Sequence, residues 1–212
     1  MNEFKPKQKR SKKSMQAILL AARHIFAQKG FDGARIDEIA ELANINKQRI
    51  YAYFGSKSDL YNSVLTDVYS EAAHQEKIMN LSENDLPDLT FKLVSAFLEF
   101  HHSHPDFWRL LSWENISQGR NQKQTNWSEI RGPYISHIEK LYNIGVEKGF
   151  FKKDIAFSTY IMTVFALTYF YYSNRLTISQ LLNIGLDTEL TRRNLASQVS
   201  ELLESGLKNP KA

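Results

Sequence analysis

The 212-residue chain contains no cysteine, which excludes a disulfide framework and any thiolate metal site and accords with a cytoplasmic setting. No apolar run reaches the roughly 18 residues of a membrane span. The basic N-terminus is not followed by the apolar core of a signal peptide, so a soluble cytoplasmic protein without membrane association is expected. There is no glycine-rich phosphate loop, no nucleophile elbow and no His-Glu-x-x-His pair, so neither an enzyme nor a bound cofactor is expected. Strand-like alternation of useful length and internal repeats are absent as well. What remains is helical periodicity throughout, and the expected fold class is all-α.

Positive charge is concentrated at one end. Residues 1–60 carry twelve Lys or Arg against six Asp or Glu, whereas residues 61–212 carry fifteen against seventeen. Lys5, Lys7, Lys9, Arg10, Lys12 and Lys13 crowd a stretch without periodic hydrophobes. Residues 1–13 are therefore expected to form a disordered basic tail that tracks phosphates or a minor groove.

The hydrophobes that follow describe three short helices. Ile18, Leu19, Ala22, Ile25 and Phe26 recur at spacings of three and four, and Lys29-Gly30 stops that helix. A second helix covers Ile36 to Leu42. Ala43-Asn44-Ile45 leaves room only for a tight turn, and Asn46 is placed to cap a third helix from Lys47 to about Phe54. This is the spacing of a helix-turn-helix, expected over residues 14–60. In the third helix, Ile50 and Phe54 should face a core with Ile39, Leu42 and Phe26, turning Lys47, Gln48, Arg49, Ala52 and Tyr53 outward. Gln can bond adenine N6 and N7, and Arg or Lys can bond guanine O6 and N7, so Gln48 and Arg49 are the expected base readers. Tyr51 and Tyr53 suit phosphates, with packing an equal alternative for Tyr51.

These motifs resemble the DNA-binding domain of the TetR family of bacterial transcriptional regulators. The shared run is Ala21-Ala22, Phe26, Lys29-Gly30-Phe31, Ile36, Ile39-Ala40, the turn, and Ile50-Tyr51, Tyr53-Phe54 leading to Ser56-Lys57. The family usually has Thr-Ser or Thr-Thr where this chain has Ala34-Arg35, and Gly in the turn where this chain has Asn44. Asn tolerates the left-handed conformation. The hydroxyl lost at Ala34 removes a cap and a phosphate contact, a role that passes to Arg35. The resemblance also makes Lys57, behind the cap Ser56, a phosphate-binding lysine. It implies a double-stranded DNA operator as partner.

Residues 61–212 are expected to form a larger helical domain for effector binding and dimerisation, entered by a connecting helix from Lys57 to about Met79. Leu81–Pro87 reads as a boundary loop. Helices are expected over the stripe of Leu86, Leu89, Leu93, Ala96, Phe97 and Phe100, from Pro105 through Trp113, from Pro133 to about Lys148, over the apolar Ile155–Tyr172 segment and over Thr188–Gly206; Ser117–Ser128 reads as a loop or a broken helix turn. Hydrophobes surround the Ile155–Tyr172 helix. Ile161, Val164 and Phe165, with Leu195, Val199 and Leu202 of the closing helix, are the expected seam of a homodimer. The resemblance further implies a pocket for a small-molecule effector, with Phe100, Trp108, Trp113, Asn115, Tyr134, His137 and Tyr169 as candidate lining residues. Glu99, His101, His102 and His104 invite a metal reading, but no further ligand arrives at suitable spacing and His is favoured at a helix C-terminus, so no metal is expected. The expected function is a DNA-binding regulator, a dimeric repressor released from its operator by an effector. The alternative is a DNA-bound scaffold whose helical domain recruits a protein without a small ligand.

Overall fold

A computed structural model describes residues 6–77, 80–119, 127–186 and 188–207, nearly all of them helical and none in a strand. The residues sort into two compact units, one of residues 1–71 with 109–126 and one of residues 72–108 with 127–212.

In the smaller unit, α1 spans Pro6–Gly33 with a break in helical geometry at Gly30, where φ is 68°. Residues 6–13 are therefore helical, part of α1, where an irregular tail was expected; residues 1–5 lie outside the described residues. Proline is accommodated in a first turn, and the Lys, Gln, Arg and Ser that follow are helix-compatible without any apolar face. Next come α2 (Ile36–Ala43), α3 (Lys47–Phe54) and α4 (Lys57–Lys77). Ile18, Ala22, Phe26, Ile39, Ile50, Leu60, Tyr61 and Leu65 are fully buried. Leu42, expected in this core, is instead exposed, because the short α2 is already anchored by Ile36 and Ile39. The last two turns of α6 (Pro105–Ile116) also belong here rather than to the larger unit.

In the larger unit, Ser82 and Asp85 close a reciprocal capping box around a 3-10 turn at Glu83–Asp88, where a boundary loop was expected. Helices α5 (Leu89–Ser103), α7 (Trp127–Glu147), α8 (Phe157–Leu182) and α9 (Glu189–Leu207) follow. Helix α7 starts six residues ahead of Pro133, so that proline is interior rather than initiating. Helix α5 packs on both α8 and α9. Its Leu89, Leu93, Val94 and Phe97 join Ile138, Tyr142, Tyr160 and Val164 in one continuous core. This changes the reading of the expected seam. Ile161 and Val164 are buried within the chain's own core, Phe165 meets Phe97 edge-on at 4.9 Å, and Leu195 and Val199 pack partly against that core. Leu202, the remaining residue of the expected seam, is exposed on α9, as is Leu190, and Met162, Leu167, Phe170 and Leu176 are exposed on α8. An all-round apolar helix cannot announce which face meets its own chain.

Candidate nucleic-acid interface

The turn between α2 and α3 is built from its backbone. Asn44 ends α2 at φ 52° and ψ 47°, and its N–H and that of Ile45 donate to the carbonyls of Glu41 and Ala40 at 3.0 and 2.9 Å. Asn46 then accepts from the Gln48 N–H at 2.8 Å, satisfying a donor that the start of α3 would otherwise leave open. With Ile50 buried beneath, α3 cannot rotate without exposing it. Lys47, Gln48, Arg49 and Ala52 face outward and are exposed; Tyr51 is also exposed, at 42%.

The candidate contacts differ in how firmly they are held. Lys47 bonds Asp37 of α2, with Nζ 2.8 Å from the carboxylate, a contact that pushes the ammonium's pKa up. Lys29 likewise bonds Glu38 at 2.8 Å and, as the largest influence, holds that carboxyl below its usual range. These pairs brace α2 against α3 and α1. Tyr53 is half-buried, and hydrogen bonding to Ser11 of α1 leads the influences that lower its phenol's pKa, with Arg49 acting from its own helix. The residue expected to meet phosphate thus ties the recognition helix to the N-terminal turns of α1. Arg35 is exposed at the N-cap of α2, where its side chain makes no cap bond. Ser56 and Asp59 form a reciprocal cap at the start of α4, each N–H donating 3.1 Å to the other's side chain. Beside them, Lys57 Nζ lies 4.6 Å above the Phe31 ring.

Trp113, expected in an effector pocket, and its neighbour Glu114 anchor this unit. Trp113 Nε1–H donates to the Ala27 carbonyl at 3.2 Å, and the indole lies so close to Gly30 that a β-carbon there would approach it to 2.8 Å. Glu114 is fully buried and accepts from the equally buried Tyr61 hydroxyl at 2.7 Å, while Phe26 and Phe31 pack edge-on to the Tyr61 ring. Burial, then this bond, drives the Tyr61 phenol far above its usual range. A carboxylate sealed in a core demands a partner. That demand is the only sequence signal, and the partner lies 53 positions away.

The expected effector residues are divided between the two units. Trp113 and Asn115 fall in the smaller unit, where Asn115 is exposed and bonds the Leu111 carbonyl of its own helix. In the larger unit, Phe100 is buried against Phe107 and His104, and Trp108 lies beside Tyr172. Tyr169 approaches His101, Tyr134 packs near Phe97, and the exposed His137 bonds the Leu81 carbonyl at 2.8 Å. His101 is buried among Phe107, Tyr169 and Tyr172. Among the described residues, no three acidic or imidazole side chains are arranged to hold a metal ion, and no helix is long and apolar enough to cross a membrane.

Comparison with known proteins matches both parts of the chain. Residues 18–64 fit the model of the bacterial regulatory proteins of the tetR family, and residues 91–203 that of the tetracyclin repressor-like C-terminal domain. The HTH-type transcriptional repressor NicS of Pseudomonas putida is 33% identical over 192 residues, 90% of this chain and 91% of that protein. The fatty acid degradation regulator FadR of Bacillus halodurans superposes with a TM-score of 0.66 at 19% identity, covering 95% of this chain and 96% of its own. FadR of Bacillus subtilis in complex with stearoyl-CoA gives 0.61 at 18% identity, covering 90% and 98%. At such identities the structural likeness concerns the fold. A capped recognition helix with an outward polar face, joined to matches along both halves of the chain, leads to one conclusion: this chain belongs to the TetR family of bacterial helix-turn-helix transcriptional regulators.

Proposed function

We propose that the chain acts in the cytoplasm as a homodimeric repressor, without enzymatic activity, that leaves its operator when a small effector binds the larger unit. The observation that carries this reading is the outward row of α3. Gln48 and Arg49 are exposed side by side while Ile50 and the Asn46 cap hold the helix in place. Such a row presents two base-reading side chains at once, with Arg35, Lys47, Tyr51, Ala52, Tyr53 and Lys57 as the surrounding DNA contacts. Two heads reading half-sites about 34 Å apart require a dimer. The exposed Met162 and Phe170 on α8 and Leu202 on α9 supply apolar surface for one. Repression is the favoured sign because NicS is named a repressor.

Footprinting the protein on its own upstream region tests the reading. Protection of a two-fold symmetric sequence is expected, and binding indifferent to sequence would overturn it. The scaffold alternative draws on Leu176, Leu181, Leu182 and Ile184, exposed near the end of α8 and just after it. Light scattering separates the two, since a pure DNA-bound dimer that keeps this surface free favours recruitment of another protein.

A further inference from the structure

A half-open cleft of about 480 Å³ lies between α5 and α9, wholly within the larger unit. None of the residues expected to bind an effector lines it. Its α5 wall carries Phe91 and Leu98 with Glu99, and its α9 wall carries Ala196 with Arg192. Phe91 keeps 43% of its surface exposed.

The charges are arranged as an open gap. Arg193 is paired with Glu189 one turn away, an exposed couple that closes on itself at 2.5 Å. Neither Arg192 nor Glu99 makes an ion pair among the described residues, although both line the same cleft and both act electrostatically on the buried Tyr172 phenol. Ser95 Oγ, buried on the α5 wall, also has no hydrogen-bond partner there. Opposite charges on the two helices that line one cleft, not paired with each other, match a ligand that carries the reverse pair.

We propose that this cleft binds a small zwitterion with an apolar side chain, the chemical class of the apolar α-amino acids. The carboxylate meets the Arg192 guanidinium, the ammonium meets Glu99, and the side chain covers Phe91 and Leu98. Arginine's planar fork suits a carboxylate. A simple carboxylic acid would bring its charge to Glu99 uncompensated, and a simple amine would do the same at Arg192. The volume holds one such molecule with room for water.

The test is calorimetric titration of the full-length protein, free of DNA, with phenylalanine and leucine, and with phenylpropionate and phenethylamine as partners lacking one charge each. Saturable binding of the amino acids is expected, with each half-charged analogue weaker by roughly tenfold or more. Arg192→Gln and Glu99→Gln should each weaken binding by a similar factor, and Phe91→Ala should lessen it, while the melting temperature without ligand and operator binding stay at parent values. No saturable heat up to about 10 mM overturns the proposal. So does equal binding of the half-charged analogues, or a parent affinity in Arg192→Gln. The readout involves no operator, so failure here leaves the repressor reading intact, and failure of that reading leaves this one standing.

Discussion

Replacing Tyr61 by Phe removes one oxygen from the best-sealed polar contact in the DNA-binding unit. The ring would keep its edge-on packing with Phe26 and Phe31 at centroid distances of 4.8 and 5.2 Å. The loss falls on Glu114. Its Oε1 accepts the Tyr61 hydroxyl at 2.7 Å, its Oε2 has no partner among the described residues, and neither residue has any exposed surface. Removing the donor strands a buried carboxyl group, and hydrogen bonds to charged groups contribute about 1.5–3 kcal/mol. For a chain of this size each kcal/mol shifts the melting temperature by about 2–4 °C, so a fall of about 3–12 °C is expected. Urea unfolding followed by circular dichroism measures the difference at a constant denaturant slope. Adding Glu114→Met takes away the stranded carboxyl with little change in volume, so the double variant should regain stability relative to Tyr61→Phe alone. The reasoning fails if Tyr61→Phe stays within about 0.5 kcal/mol of the parent, the range of an inconsequential surface change. It fails equally if the double variant is the less stable of the two.

Gln48→Ala and Arg49→Ala should each cost about 1–3 kcal/mol at defined operator positions, read by binding to a panel of single-base variants, whereas uniform weakening would argue against base readout. Lys57→Ala should weaken all sequences alike and reduce the salt slope by about one in a titration of affinity against salt; an unchanged slope removes Lys57 from the phosphate contacts. Met162→Glu with Phe170→Glu, both on exposed α8 positions, should give folded monomers by sedimentation that no longer hold the operator, and a DNA-binding dimer would refute that seam. Gly30→Ala, at φ 68° and with its new β-carbon 2.8 Å from the Trp113 indole, should destabilise by at least about 1–3 kcal/mol in thermal melts, and a parent-like melt would show that the indole moves freely aside. The buried phenols of Tyr61, Tyr160 and Tyr172 have folded-state pKa values raised above the ordinary 10.0, chiefly by burial. Their contribution is complete below that pH and is lost as the pH rises beyond it, so phenolate absorbance from these residues should appear together with unfolding; appearance in a still-folded protein would show them open to solvent.

The helix-turn-helix was legible because its signals are local. A left-handed Asn44, an Asn46 cap and buried Ile39 and Ile50 all lie within twelve consecutive positions, and each occupies its expected place. Leu42 escaped because on an eight-residue helix two buried isoleucines suffice, and apolar character alone does not compel burial. The helical conformation of residues 6–13 escaped for the opposite reason. Periodicity detects helices by their buried face, and Lys7 to Ser14 has none to show.

Non-local pairing explains what was missed in the rest. Trp113 reads from sequence like any aromatic available for a pocket, yet its indole N–H is spent on the Ala27 carbonyl 86 positions earlier. His101 sits in a helix with His102 and Glu99, with His104 just past its end, and its neighbours prove to be Phe107, Tyr169 and Tyr172. The long α8 makes the same point about assembly. Ile161, Val164 and Phe165 are as apolar as any dimer seam, but α5 reaches that face with Leu93 and Phe97, and an intramolecular partner meets it at far higher effective concentration than a second chain could. What is left for another copy is the surface the chain cannot cover by itself, where Met162 and Phe170 stand exposed eight residues apart on α8. Their exposure is the feature that only a folded structure could distinguish from the equally apolar stripe beside it.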